Sequence, residues 1–86
     1  MPRDFSGSEF DRLAATLNEM LERIGIILAA LDDATDIEEM NRPSFKLHKL
    51  KGDWKGFYAV TVRANWRIVF RFEDGRSSDV DFVDYH

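Results

Sequence analysis

The first half of the chain carries a hydrophobic stripe with the period of an α-helix. Apolar residues recur at steps of three and four between positions 10 and 31, and polar residues fill the other side. The stripe comprises Phe10, Leu13, Leu17, Met20, Leu21, Ile24, Ile27, Leu28 and Leu31. Such spacing gives a helix one apolar face, which has to pack against another layer. Gly25 is compatible with one long helix or with a corner between two antiparallel helices, and we favour the corner.

A change of period follows Pro43. The segment DATDIEEM predicts one more helical turn, which ends at NRP because the residue before a proline avoids the helical conformation. Beyond it, the runs GFYAVTVR, WRIVFRF and SDVDFVDYH alternate with the turn sequences AN and EDGR. They predict an antiparallel three-stranded meander. Residues 45–50 are read either as a fourth strand ahead of it or, with KGDWKG, as part of a loop.

Alternation along the predicted strands sorts their side chains onto two faces. The face expected to pack on the helices carries Val60, Val62, Ile68, Phe70, Phe72, Val80 and Phe82. The face expected to meet solvent carries Arg63, Arg67, Arg71, Asp79, Asp81 and Tyr85. We therefore predict a single α+β domain over residues 1–86, mainly helical in 1–43 and mainly β in 44–86. N-terminal helices would pack on one face of a mostly antiparallel sheet of three to five strands.

Composition removes several classes of protein. The chain has no cysteine, so neither a disulfide framework nor a thiolate metal site is available. No apolar run approaches the roughly 18 residues that span a bilayer, and the start MPRDFSGSEF lacks the order of a signal peptide. We therefore expect a cytoplasmic protein that does not bind membranes.

The charge is divided unevenly along the chain. The net charge is −4, but residues 1–43 hold ten acidic and four basic side chains, whereas residues 44–86 hold six acidic and eight basic ones. The segment 44–71 sets seven cations against Asp53 alone: Lys46, Lys49, Lys51, Lys55, Arg63, Arg67 and Arg71. A chain divided in this way can present a basic face to a polyanion such as RNA.

The basic half also contains side chains that carry or orient protons. His48 lies between lysines, and the chain ends on Asp84, Tyr85 and His86. With no cysteine and no serine in a nucleophile motif, this set suits metal-free RNA cleavage, in which the ribose 2′-hydroxyl is the nucleophile. Arg67 is the better placed arginine for a phosphate.

Two simpler readings compete for the charged residues of the sheet. Arg71 is expected to pair with Asp79 or Asp81 across the strands, as exposed ions commonly do. Asp79, Asp81 and Asp84 also offer carboxylates to a hard cation, but no imidazole or fourth ligand stands at a diagnostic spacing. We expect neither a metal nor another cofactor.

Three separated motifs resemble one toxin family. FKLHKLKGDWKGFYAVTVRANWRIVFRFEDG followed by VDYH resembles the HigB, or plasmid-maintenance killer, branch of the RelE/ParE toxin superfamily, over residues 44–86. The resemblance implies a RelE-like fold and a ribosome-dependent mRNA endoribonuclease that stops translation. It also implies a helix-turn-helix antitoxin of the HigA type, through which alone operator DNA would be bound.

The same resemblance implies roles for individual residues. The acid–base group would be His48, Asp84, Tyr85 and His86. Lys51 and Arg67 would contact phosphate, and we add Lys49, Lys55 and Arg63 as further RNA contacts because they belong to the same basic segment.

The chain departs from the family in two respects. Its start, MPRDF, replaces the usual short strand of the kind I-x-S-F, and its acidic first half contrasts with the basic character of most ribosome-directed toxins. An alternative hypothesis is therefore a toxin-fold protein without nuclease activity. It would act only by binding an antitoxin or, like the ParE branch, a protein target such as DNA gyrase.

Overall fold

One long helix and a four-stranded sheet make up the described part of the chain. The computed structural model describes residues 7–84. The elements are the helix α1 (Gly7–Asp33), the 3₁₀ turns Ile37–Met40 and Gly52–Trp54, and the strands β1 (His48–Lys49), β2 (Phe57–Arg63), β3 (Trp66–Glu73) and β4 (Arg76–Asp84). The segment MPRDF, where the family's opening strand was expected, lies outside the described residues.

The sheet is an antiparallel meander in the order β1-β2-β3-β4. Asp74 and Gly75 join β3 to β4 with φ of 53° and 74°. Positive φ at both central residues is the condition for the hairpin turn that Asp-Gly favours. The predicted meander is confirmed, and the fourth strand exists, although only His48 and Lys49 form it.

The helix runs through Gly25 without a corner, so the expected pair of helices is wrong. Nothing lies within 4 Å of the position that a Cβ atom on Gly25 would occupy. The apolar stripe keeps its register across this position, and Ile27 and Leu31 beyond it are buried against the sheet. Burial of those side chains outweighs the ~1 kcal/mol that glycine costs a helix.

The main core lies between the second half of α1 and the facing side of the sheet. It is a cluster of buried side chains comprising Ile27, Leu31, Ala34, Met40, Phe45, Val60, Val62, Ile68 and Phe70. Arg23 fastens the helix to this layer by donating from its guanidinium to the carbonyl oxygens of Ser44 and Thr61. The predicted buried face is confirmed for the central strands.

The edge strand β4 departs from that prediction. Val80 and Phe82 were expected to carry burial, yet they are 45% and 42% exposed. They line an open groove of about 280 Å³ together with Ile24 and Leu28 of α1. Phe82 obtains its packing from Trp66 instead, with the ring centroids 4.8 Å apart and the planes nearly parallel.

The other face of the sheet is also partly buried, which corrects the expectation of an open surface. Leu50, Ala59 and Val69 form a second buried cluster, and Phe57 and Val83 pack against it. The cause is Leu50, which follows β1 directly. Its amide donates a hydrogen bond to the carbonyl oxygen of Phe57, and this contact holds Leu50 beside β2.

The first half of α1 leaves its apolar stripe uncovered by the described part of the chain. Phe10, Leu13, Leu17 and Leu21 are each more than half exposed. No helix in residues 7–84 is long and apolar enough to cross a membrane.

The turn between α1 and the sheet is held by side chains at its start. Asp36 caps the turn Ile37–Met40 by accepting from the amide of Glu38 at 2.9 Å. The carboxylate of Glu39 accepts from the amides of Asp36 and Thr35 at 3.0 and 2.6 Å. These backbone hydrogen bonds, that from Asp36 foremost, lower the pKa of Glu39 because they stabilise its ionised form.

The continuity of α1 gives a direct test. Replacing Gly25 by alanine should raise the free energy of unfolding by about 0.5–1 kcal/mol, because alanine favours the helix and meets no neighbouring atom. Gly52→Ala is the control. It should lower that free energy by roughly 1–2 kcal/mol, since Gly52 has a φ of +65°. Urea unfolding measures both, and a loss of stability in Gly25→Ala would contradict a continuous helix.

Candidate functional site

The sheet face opposite α1 carries a row of four residues that are direct partners across the strands. His48 in β1 is paired with Ala59 in β2, Ala59 with Val69 in β3, and Val69 with Asp81 in β4. Ala59 and Val69 are fully buried, whereas His48 and Asp81 are exposed. The row therefore has an apolar floor and a polar group at each end.

His48 is oriented by the backbone next to it. Its Nδ1 lies 3.1 Å from the carbonyl oxygen of Lys46, a residue with a φ of 51°. Because a carbonyl oxygen only accepts, this contact favours the tautomer that carries its proton on Nδ1. The other nitrogen, Nε2, is then an acceptor, which is the state a general base requires.

Arg67 lies on the same face, in the neighbouring row between Thr61 and Val83. Its Nη1 donates to the carbonyl oxygens of Ala64 and Trp66, which holds the guanidinium near the start of β3. Its Nε is buried and has no hydrogen-bond partner within residues 7–84. A buried donor without a partner is unfavourable, so a small shift of this side chain towards an acceptor such as a phosphate oxygen would be favoured.

His48 and Arg67 stand two strands and one row apart. Strand spacing and rise put their Cα atoms about 12 Å from each other, and alternation directs both side chains to the same side of the sheet. The imidazole of His48 and the guanidinium of Arg67 therefore border the surface of the sheet over Ala59 and Val69.

Arg71 behaves as the simpler reading predicted. Its Nε lies 3.3 Å from a carboxylate oxygen of Asp79, and its guanidinium covers the ring of Phe57 at 4.5 Å from the centroid. Asp81 stands one row away from Arg67, opposite Val69, and its Oδ1 accepts from the amide of Phe82 at 2.8 Å. Of the two arginines on this face, Arg67 is thus the one without a carboxylate partner in the described chain.

Arg63 lies on the helix side, contrary to the predicted face. The pairing of β2 with β3 shifts register between Thr61 and Arg63, so that Arg63 comes opposite Trp66. Its Nη1 lies 3.6 Å from Glu19 of α1. The bulge, which alternation alone does not reveal, reverses the direction of this side chain.

Three exposed lysines surround the segment after β1. Lys49, Lys51 and Lys55 line a cleft of about 240 Å³ with Leu50 and Gly52. Lys49 is paired with Tyr58, whose ring packs into the main core, so it leaves the strand on the side opposite to His48. Lys51 and Lys55 flank the 3₁₀ turn Gly52–Trp54, which follows Leu50 in the chain.

The predicted acid–base group is only partly placed by the structure. Asp84 ends β4 opposite Trp66, on the helix side of the sheet, and β4 and β1 are opposite edges. Three strand spacings and three residues of strand rise put the Cα atoms of Asp84 and His48 about 17 Å apart, so the two do not form a pair. Tyr85 and His86 lie outside the described residues. No cluster of three or more potential metal ligands occurs within residues 7–84.

Two aromatic residues beside the lysines were not predicted as part of a site. Trp54 is partly exposed, and its ring meets that of Phe57 edge-on with centroids 5.2 Å apart. The signal in the sequence is a tryptophan inside the lysine-rich KGDWKG.

Comparison with known proteins identifies the family of the chain. Residues 5–86 match the family described as RelE-like toxin of type II toxin-antitoxin system HigB. The chain is also 50% identical over 66 residues to "Endoribonuclease HigB" of Proteus vulgaris, which covers 77% of this chain and 72% of the relative. The chain therefore belongs to the HigB family of RelE-like toxins of type II toxin-antitoxin systems.

The orientation of His48 can be tested without any substrate. At a pH where its ring is neutral, the ¹⁵N chemical shifts of His48 should show the proton on Nδ1, because the carbonyl oxygen of Lys46 accepts it. His86→Gln removes the second histidine and assigns the signals. A ring protonated mainly on Nε2 would contradict the proposed acceptor state of that nitrogen.

Proposed function

We propose that this toxin is an endoribonuclease that cuts ribosome-bound mRNA by metal-free acid–base catalysis and thereby stops translation in the cytoplasm. The observation that carries the proposal is the sheet face on which two side chains border one apolar floor: an oriented imidazole, and an arginine whose buried Nε has no partner within residues 7–84. Family membership and the likeness to a protein named for endoribonuclease activity support it.

The first chemical step is attack of a ribose 2′-hydroxyl on the adjacent phosphorus. In the proposed arrangement, Nε2 of His48 accepts the proton of that hydroxyl. The P–O bond to the 5′-oxygen breaks as the new P–O bond forms, which yields a 2′,3′-cyclic phosphate. The leaving 5′-oxygen takes up a proton, so that a 5′-hydroxyl remains on the other fragment.

Cations stabilise the extra negative charge of the pentacovalent phosphate. Arg67 would donate to a non-bridging oxygen from its guanidinium, and Lys51 would add charge from the start of the turn after Leu50. Lys55 would attract the RNA backbone at longer range, whereas Lys49 leaves β1 on the other side of the sheet and would add little. Arg63 contributes less in this proposal because Glu19 already pairs with it.

The donor of the second proton is proposed to come from the end of the chain. Tyr85 and His86 follow Asp84 directly, and the family resemblance gives them acid–base roles. Asp84 is proposed to orient these two residues rather than His48, from which strand spacing separates it.

Cleavage on programmed ribosomes tests the proposed chemistry. His48→Ala should slow single-turnover cleavage by roughly 10²–10⁴-fold, because a positioned base is lost. Lys49→Ala is the matched control, since the neighbouring residue is also exposed but leaves the strand on the other side. It should change the rate only slightly.

The nucleophile is tested on the substrate. An mRNA with a single 2′-deoxy nucleotide at the cleaved position should resist cleavage, because it lacks the attacking hydroxyl. Cleavage at an undiminished rate would exclude this mechanism, and equal losses in His48→Ala and Lys49→Ala would exclude the role of His48.

The second proposed activity is binding of the antitoxin, which a toxin of this family is expected to have as its partner. We propose an antitoxin of the helix-turn-helix HigA type that covers the first half of α1. The supporting observation is the exposed stripe Phe10, Leu13, Leu17 and Leu21. The helix carries six acidic and two basic side chains, so the complementary segment would be amphipathic and basic.

Two substitutions one residue apart test this surface. Leu17→Asp should weaken antitoxin binding by at least about tenfold, because it buries a charge in the apolar contact. Asn18→Asp adds the same charge beside the stripe and should have a much smaller effect. Both variants should cleave mRNA normally in the absence of antitoxin. Titration calorimetry measures the affinity for the antitoxin, and a cleavage assay measures the activity. Equal affinities of the two variants would contradict the proposed surface.

A further inference from the structure

Trp54 exposes an aromatic surface beside the lysines of the site, and the proposed chemistry does not use it. It ends the 3₁₀ turn Gly52–Trp54 and is 37% exposed. Its ring stands at 88° to that of Phe57, which fixes its orientation. A tryptophan held in this way offers a rigid apolar surface to solvent.

The support beneath Trp54 extends through two further side chains. The guanidinium of Arg71 covers Phe57, and Asp79 holds Arg71 by an ion pair. Gly56 leaves room for this arrangement, because a Cβ atom there would lie 3.1 Å from Nη1 of Arg71. Cation–π and edge-to-face contacts each contribute to such a stack. The exposed ring is therefore supported by an ordered chain of contacts.

This stack lies one row from His48. Phe57 precedes Ala59 by two residues on β2, and Ala59 is the direct partner of His48. Two residues of strand correspond to about 7 Å, which is comparable to the distance between neighbouring nucleotides in an extended single strand. Lys51 and Lys55 flank Trp54 and are exposed, so the surroundings of the ring attract a phosphate backbone.

We propose that Trp54 stacks on a base of single-stranded RNA within one or two nucleotides of the cleaved phosphate, while Lys51 and Lys55 hold the adjoining backbone. Aromatic stacking next to cations is the general means of holding single-stranded nucleic acid, and every base offers a face to it. The proposal rests on the proposed RNA cleavage, to which it adds a positioning residue. Trp54 would strengthen substrate binding without taking part in proton transfer.

The experiment combines variants of the protein with abasic mRNA. Trp54→Ala should lower kcat/KM on programmed ribosomes by about 5- to 150-fold, mostly through KM, as expected for loss of one stacked base. Trp54→Phe should restore most of the activity. Trp66→Ala is the matched control because Trp66 is also 37% exposed but stacks on Phe82, on the other side of the sheet.

The abasic substrates locate the contact. Bases are removed from the mRNA one at a time. At one position, removal should lower the activity of wild type but leave the activity of Trp54→Ala at the level that this variant shows on intact mRNA. Equal extra losses in Trp54→Ala on every abasic substrate would overturn the proposal, as would unchanged cleavage by Trp54→Ala. If Trp54→Ala cleaved mRNA normally and lost only its affinity for the antitoxin, the proposal would also be overturned, because the surface would then bind a protein partner.

Failure of the stacking proposal can be told apart from failure of the proposed function. Binding of ribosomes programmed with the 2′-deoxy mRNA is measured in parallel, and thermal unfolding checks that each variant is folded. Suppose that wild type shows no cleavage, and that Trp54→Ala nevertheless binds these ribosomes more weakly in a way that depends on one base of the mRNA. The stacking proposal then stands and the nuclease assignment fails. If wild type cleaves and Trp54→Phe behaves like Trp54→Ala despite normal folding, a specific aromatic contact is excluded.

Discussion

The two-sided burial of the central strands is the constraint on which the rest of the structure depends. Val60 and Ile68 are sealed by α1, while Ala59 and Val69, their neighbours in the chain, are sealed by Leu50 on the opposite face. Alternating side chains of one strand pair thus hold the helix on one side and the segment after β1 on the other. The second contact is the one that fixes the candidate site, because it brings the lysines of that segment and the start of β2 beside His48.

Much of the fold follows from local patterns, and the exceptions have physical causes. The helical stripe, the period-two strands and the Asp-Gly turn each indicate their element, and the sheet has the predicted order. Gly25 was misread because burial of Ile27 and Leu31 decides the path of the helix, and burial is a tertiary property. Arg63 was assigned to the wrong face because a bulge shifts the register, and Val80 was expected to be buried because the alternation does not show that α1 leaves the edge strand uncovered.

The candidate site was predicted more by residue type than by arrangement. The strand register places His48 and Arg67 on one face, and the carbonyl oxygen of Lys46, not a carboxylate, orients the imidazole. That contact depends on a left-handed backbone conformation at Lys46, which no sequence motif predicts. The separation of Asp84 from His48 follows from the order of the strands, which places β1 and β4 at opposite edges of the sheet. The face as a whole joins an apolar floor, cations and a supported tryptophan, which are the components that a single-stranded polyanion requires.

The central claim is that this face cuts RNA in the context of translation. The most direct measurement is mapping of 5′ ends on a defined mRNA after incubation with purified protein, with and without programmed ribosomes. The account predicts new 5′-hydroxyl ends within codons only when ribosomes are present. An absence of cleavage in both reactions, with protein shown to be folded, would contradict it and would leave binding of the antitoxin as the activity to study.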